Sequence, residues 1–195
     1  VDDIVEQVAQ PVVDEMARRG TPFVGLLYCG LALTKNGIEV VEFNVRFGDP
    51  ETQSVLSCLE TPLGALLLAA AQGRLSEYSR LEWSTDASVT LVLAAEGYPA
   101  SPRKGDPIAG LEEAGAVDGV MVLHAGTAVN EQGEVVTNGG RVLSVVANAP
   151  SLQEARELAY RAGDLITWEG KTYRNDIASA AVQGAIRVPV AAGSG

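Results

Sequence analysis

From Val41 to Phe47 the sequence alternates without a break: Val41, Phe43, Val45 and Phe47 are apolar, and Glu42, Asn44 and Arg46 are polar. Side chains of a strand point alternately to its two faces, so this run predicts a strand with one face toward a core. The other face carries a carboxylate, an amide and a guanidinium in a row, about 7 Å apart per two-residue step. Upstream, Lys35-Asn36-Gly37 separates this run from the apolar stretch Phe23 to Thr34. Asn-Gly between two such runs signals a hairpin. Downstream, Gly48-Asp49-Pro50 opens a helix, with Asp49 expected as N-cap and Pro50 at the first helical position. An antiparallel hairpin that feeds straight into a helix start is therefore the unit around which the chain must fold.

The flanking segments add to it. Val5, Val8, Val12 and Met16 recur at helical spacing between Asp3 and Arg19, with Pro11 expected to kink the run or break its first turn. Thr61-Pro62 opens another helix, which Gly73 ends. The polar stretch from Gln72 to Asp86 is the candidate boundary, giving one domain over 1–81 and a second over 82–195. In the second, Val89 to Ala95, Val120 to Val129 and Arg141 to Ala147 read as strands, with turns at Asn130 to Gly133 and Asn138 to Gly140. Ser151-x-x-Glu154 is a capping box for a helix carrying Ala155, Leu158, Ala159, Ala162, Leu165 and Ile166 on one face. The fold class is α+β, with a small, mainly β second domain closed by a helix. Ala191 to Gly195 read as a frayed end.

Composition narrows the function. The formal net charge is -11, so the chain's own field opposes general binding to nucleic acid or to an anionic membrane. The apolar stretch Leu63 to Ala71 is too short to span a bilayer. Cys29 and Cys58 share no metal-binding spacing and read as buried free thiols. The sequence begins without methionine, directly in helical pattern, and reads as a piece of a longer cytoplasmic protein.

A row of Glu42, Asn44 and Arg46 is costly to bury unless it binds something. Carboxylate and amide oxygens suit Mg2+, which takes a few protein oxygens together with nucleotide phosphates. Arg46 can meet a phosphate bidentately. The helix start after Gly48 is a natural anion site, and Gly48 lets backbone come close to a ligand. A solvated face with a structural ion pair is the alternative that pattern alone leaves open. His124 reads as a structural hydrogen-bonder before it reads as a base. Arg141, after a Gly-Gly turn, either reaches a ligand phosphate or ends a strand at the surface.

The run Glu42-Phe43-Asn44-Val45-Arg46-Phe47-Gly48-Asp49-Pro50-Glu51-Thr52-Gln53 resembles the signature of the phosphoribosylamine–glycine ligase family, also called glycinamide ribonucleotide synthetases. Ala94-Ala95-Glu96-Gly97-Tyr98-Pro99, His124-Ala125-Gly126-Thr127 and Thr137-Asn138-Gly139-Gly140-Arg141-Val142-Leu143 resemble further family motifs in the expected order. The similarity runs from about Pro22 to Asp176. It implies the C-terminal lobe of an ATP-grasp fold followed by the family's small C-terminal domain. It implies Glu42 and Asn44 as ligands of Mg2+ or Mn2+, and Arg46 and Asp49 as catalytic residues. Gly48, Pro50, Thr52 and Arg141 then bind substrate.

The implied reaction joins glycine to 5-phosphoribosylamine at the expense of ATP, through glycyl phosphate, in purine biosynthesis. The phosphate lid and the nucleotide lysines of such an enzyme have no counterpart here, since Lys35, Lys104 and Lys171 stand alone. The partners expected are ATP, glycine, 5-phosphoribosylamine and the N-terminal half of the same enzyme, with no nucleic acid and no membrane. The chain alone is expected to be inactive. The rival readings are a carboxylating ATP-grasp ligase, which shares Glu-x-Asn-x-Arg, and a non-catalytic interaction fragment.

Overall fold

The computed structural model describes residues 2–186, so the expected frayed end at Ala191 to Gly195 lies outside the described residues. In chain order the elements are α1 (Asp2–Ile4), a π-helical stretch Val5–Ala9, α2 (Gln10–Arg18), β1 (Tyr28–Thr34), β2 (Gly37–Asn44), α3 (Glu51–Ser57) and α4 (Leu63–Ala71). After them come β3 (Ala87–Ala94), α5 (Leu111–Gly115), β4 (Val120–His124), β5 (Thr127–Val129), β6 (Val135–Thr137), β7 (Arg141–Ala149), α6 (Leu152–Leu165) and α7 (Ser179–Val182). They cluster into two compact units. Among the described residues one holds 2–48, 60–82 and 186, and the other 49–59 and 83–185.

In the first unit Pro11 lies in the opening turn of α2, straight after the π-helical stretch. The wider turn takes up the missing N–H, so the expected break appears as a change of helix type. The hairpin forms as expected, with Thr34 opposite Gly37 and Tyr28 opposite Asn44. Two details differ. The first strand begins at Tyr28 rather than Phe23, and the second ends at Asn44, so Arg46 sits in a bend and leaves the alternating row. The apolar face is also not a core face here: Val41 and Val45 are each 71% exposed and Phe43 is 42% exposed. A two-stranded sheet has no inner layer of its own, and only a further packed layer can bury its face. The buried apolar residues of this unit are Val8, Leu66 and Ala69.

Both proposed caps act differently from expectation. Pro50, not Asp49, occupies the N-cap position of α3, and Pro62, not Thr61, that of α4; neither helix has a side-chain cap. The Thr61 hydroxyl instead accepts the backbone N–H of Glu82 at 2.7 Å. Gly73 does end α4, with φ of 68° and the N–H of Arg74 returning to the carbonyl of Ala69.

The second unit is built on an antiparallel sheet in the order β3-β7-β4, with β5 and β6 as a separate pair. The expected strand over Val120 to Val129 is split, because Ala125 and Gly126 both turn their N–H groups to the carbonyl of Val142. Val89, Leu91 and Leu93 of β3 stand opposite Ala147, Val145 and Leu143 of β7, and α6 covers this face with Ala155, Ala159 and Ala162. Full burial of Leu91, Leu93, Leu143 and Val145 makes this the core. The capping box is present: Ser151 Oγ accepts the N–H of Glu154 and donates to its carboxylate. Leu165 departs from the expected buried face at 43% exposure, whereas Ile166 behind it is fully buried.

The opposite face of the same sheet carries polar residues, and α3 docks there through hydroxyls. Ser54 Oγ lies 2.6 Å from Thr90 Oγ1, and Ser57 Oγ lies 2.9 Å from Ser88 Oγ. Asn148, opposite Ser88 in the register, donates to the carbonyl of Ser57 at 3.1 Å.

Candidate functional site

The expected site residues fall into two groups, one in each unit. In the first unit Glu42 and Asn44 lie two residues apart on β2 and share a face. The Asn44 amide nitrogen donates to Glu42 Oε1 at 2.9 Å. This bond turns the amide so that its oxygen, and the second carboxylate oxygen of Glu42, remain as hard donors. Gly30, opposite Glu42, makes room for it: a Cβ there would stand 3.0 Å from Glu42 Cγ. Such a donor pair fits one side of a Mg2+ shell. Among the described residues no group of three or more His, Cys, Asp or Glu gathers for a metal. Arg46 does not join the pair: it donates to the carbonyl of Phe47 at 2.9 Å. Gly48 is buried.

In the second unit Asp49 is tied on both sides. Its Oδ1 accepts Gln53 Nε2 at 2.8 Å, and its Oδ2 stands 3.3 Å from Arg141 Nη2. Arg141 also donates to the Asp49 carbonyl at 3.0 Å. The pair clamps the turn before α3 to the first residue of β7. This is the carboxylate for which the sequence suggested a catalytic role. Thr52 is half-buried on α3.

Beside this clamp lies a cleft of about 500 Å3 lined by Pro50, Val92, Ala94, Tyr98, Arg141 and Arg174, among others. Val92 and Ala94 continue the β3 face that α3 covers at Ser88 and Thr90, so the cleft floor is the part of that face α3 leaves open. Tyr98 packs against Gly140 so closely that a Cβ there would stand 2.2 Å from the ring. The segment Thr172–Arg174 completes the wall, anchored by reciprocal backbone bonds between Thr172 and Ala94. The Tyr173 hydroxyl turns away to Asp164, and that bond pushes its pKa up. Arg174 is held by Asp176 at 2.6 Å, and the guanidinium in turn holds the Asp176 carboxyl below its usual range.

Of the residues that the sequence offered for substrate, Pro50 and Arg141 line this cleft, together with Tyr98 and Thr172–Arg174, for which the sequence carried no expectation. Tyr98 lay in a motif without an assigned role. Arg174 beside an acid looks like any surface pair in pattern alone. His124 is exposed and bonds Thr127 Oγ1 at 2.9 Å, a local structural role. Cys29 and Cys58 are free but only half-buried, less enclosed than expected.

Family models match both parts of the chain. The phosphoribosylglycinamide synthetase ATP-grasp (A) domain matches residues 1–52, and the C domain of the same family matches residues 88–180. The phosphoribosylamine–glycine ligase of Streptomyces coelicolor is 56% identical over 183 residues, covering 93% of this chain and 44% of that protein. The crystal structure of the Thermotoga maritima phosphoribosylamine–glycine ligase superposes with a TM-score of 0.77 at 34% identity, covering 89% of this chain and 42% of the other. The N5-carboxyaminoimidazole ribonucleotide synthetase from Thermotoga maritima, at 23% identity and a TM-score of 0.55, covers 85% of this chain and 41% of the other and shares the fold. The chain thus spans less than half the length of the relatives it matches. Two models of one family, in order along the chain, and a relative at 56% identity agree with the motifs around Glu42 and Asp49: the chain belongs to the phosphoribosylglycinamide synthetase family, as a stretch running from its ATP-grasp domain through its C domain.

Proposed function

We propose that this chain is the part of a phosphoribosylamine–glycine ligase that supplies the metal-binding strand and the adjoining C-terminal domain, with the division of domains near residues 81 and 82. The Glu42–Asn44 pair carries the reading, since its fixed amide leaves two hard oxygens side by side at the end of a hairpin. In the reaction glycine's carboxylate attacks the γ-phosphate of ATP, breaking the bond to ADP and giving glycyl phosphate. The amine of 5-phosphoribosylamine then attacks the acyl carbon, phosphate leaves, and the amine gives up its proton.

Glu42 and Asn44 would hold Mg2+ or Mn2+, which when bound offsets charge on the nucleotide's phosphate oxygens. Arg46, in the bend after this strand, offers a guanidinium to the same developing charge. Asp49 and Arg141 hold the turn Gly48–Thr52, so that Pro50 and Thr52 border the substrates in one geometry. Among the described residues no helix is long and apolar enough to cross a membrane.

The test is ADP release by the whole protein that carries this chain, given ATP, Mg2+, glycine and freshly made phosphoribosylamine. Release that requires both co-substrates is expected, with little or none from the 195-residue chain alone. Release that needs bicarbonate in place of glycine would overturn the reading. In that protein Glu42→Gln should lower turnover at limiting Mg2+ by about tenfold or more, roughly 1.4 kcal/mol of barrier. Near-normal kinetics would remove Glu42 from the metal.

A further inference from the structure

We propose that the segment 173–177 is a strap that opens and closes by itself, apart from global unfolding, with the hydroxyl of Tyr160 as its latch. The inference goes beyond the ligase reading and does not depend on it. Across these five positions no backbone N–H donates to a backbone carbonyl among the described residues. A segment without such bonds must satisfy its polar groups in another way. Side chains of α6 do so. Tyr160 Oη donates to the carbonyl of Arg174 at 2.6 Å and accepts the N–H of Ile177 at 3.1 Å. Arg156 donates to the carbonyls of Asn175 at 2.7 Å and of Ile177 at 2.8 Å. Asp164 accepts the Tyr173 hydroxyl. Arg156, Tyr160 and Asp164 recur at every fourth position, so they form one edge of the helix.

The two ends of the strap are held differently. At its start Thr172 exchanges backbone bonds with Ala94, and Lys171 Nζ donates to the carbonyls of Gly163, at 2.9 Å, and Ile166. That end is a fixed pivot. Just past the other end Ala178 holds φ of 59°, a region that a Cβ disfavours, so the closed path is kept against the backbone's own preference. Tyr160 stands at the centre of what keeps it closed. Its ring lies under the Arg156 guanidinium at 4.5 Å and meets the Tyr173 ring edge-on at 6.0 Å. Arg174, Asn175 and Asp176 are exposed, and only Tyr173 and Ile177 of the strap pack against the core. A segment with so little buried apolar surface opens at lower cost than the core that carries it. Tyr173, Arg174 and Ile177 all line the cleft, so the cleft is complete only while the strap is latched.

The test is residue-resolved hydrogen exchange in the whole protein that carries this chain. The Ile177 amide is expected to exchange about a hundredfold or more faster than the amides of β7, which report global opening. Tyr160→Phe keeps the ring and removes both bonds of the latch. It should speed Ile177 exchange about tenfold or more and leave β7 exchange unchanged. Arg156→Lys, which loses the fork that reaches two carbonyls, should act in the same direction. Arg161→Ala, at an exposed position of α6 outside this edge, should change nothing. Trypsin gives a second readout, because cleavage after Arg174 requires the strap to leave α6. Nicking there should rise in Tyr160→Phe together with the exchange rate. Three results would overturn the proposal. Ile177 could exchange as slowly as β7 in the unaltered protein, or Tyr160→Phe could leave Ile177 exchange as it was. The third is Tyr160→Phe speeding β7 exchange equally, which would make the hydroxyl a support of the whole unit. None of these outcomes touches the ligase reading, whose own test is the co-substrate dependence of ADP release.

Discussion

Gly140 shows how one missing side chain shapes the site. Tyr98 lies where a Cβ of residue 140 would be, 2.2 Å from the ring carbon. The aromatic wall of the cleft therefore exists only because position 140 has no side chain. Gly140→Ala must push the ring aside, and a ring anchored in a tight loop has few ways to yield. We expect this variant to lower the thermal unfolding midpoint by a few degrees, a shift consistent with an overpacking cost of about 1 kcal/mol or more. An unchanged midpoint would mean that the Tyr98 ring yields freely. The Asp49–Arg141 clamp sits at the same scale. It joins residues far apart in sequence, and nothing in a linear pattern marks them as partners.

At the scale of elements, α3 is a short helix held by polar contacts instead of an apolar stripe. Ser54, Ser57 and Asn148 satisfy one another's donors and acceptors with Thr90 and Ser88. Asn148→Ala removes the donor to the Ser57 carbonyl and the contact with Cys58 Sγ at 3.7 Å. The expected cost is about 1–2 kcal/mol in chemical denaturation, because a half-buried carbonyl is left without its partner. A loss below the error of the measurement would show that water replaces the amide.

The hairpin, the sheet strands β3 and β7 and the capped helix α6 were legible because each carries a local signal: Asn-Gly, apolar runs, Ser-x-x-Glu. The strand β6 and the helices α5 and α7 were missed because they are three to five residues long and owe their shape to tertiary contacts. The apolar face of β2 was read correctly as apolar and wrongly as covered, since periodicity reports which side is greasy and not what lies against it. Glu42 and Asn44 share a strand face as their i, i+2 spacing implies, whereas Arg46 leaves that row because the strand ends before it.

For the molecule as a whole, acid sensitivity follows from the braced ion pairs. Arg103 holds Glu169 at 3.0 Å and the nearly buried Asp106 at 2.7 Å, and hydrogen bonding from Arg103 lowers the Glu169 pKa. Arg174 lowers that of Asp176 in the same way. A carboxyl with a lowered folded pKa contributes stability that is present above its unfolded value and is lost as pH falls through the folded one. Stability should therefore hold through neutral pH and fall as pH drops below the ordinary carboxylate range of about 4. Arg103→Gln should flatten that fall in a series of thermal melts at decreasing pH. An unchanged slope would assign the acid sensitivity to other carboxylates.

The path of the chain has a consequence for inheritance. Residues 49–59 cluster with the second unit although the segments on either side of them cluster with the first. An exchange of gene segments between relatives at residue 82, the natural seam by composition, would carry Ser54 and Ser57 with one parent and Ser88, Thr90 and Asn148 with the other. A hydroxyl facing a methyl across that joint is left without its hydrogen-bond partner. These five positions are separated by the seam but bound by their chemistry, so they should change together among relatives or not at all.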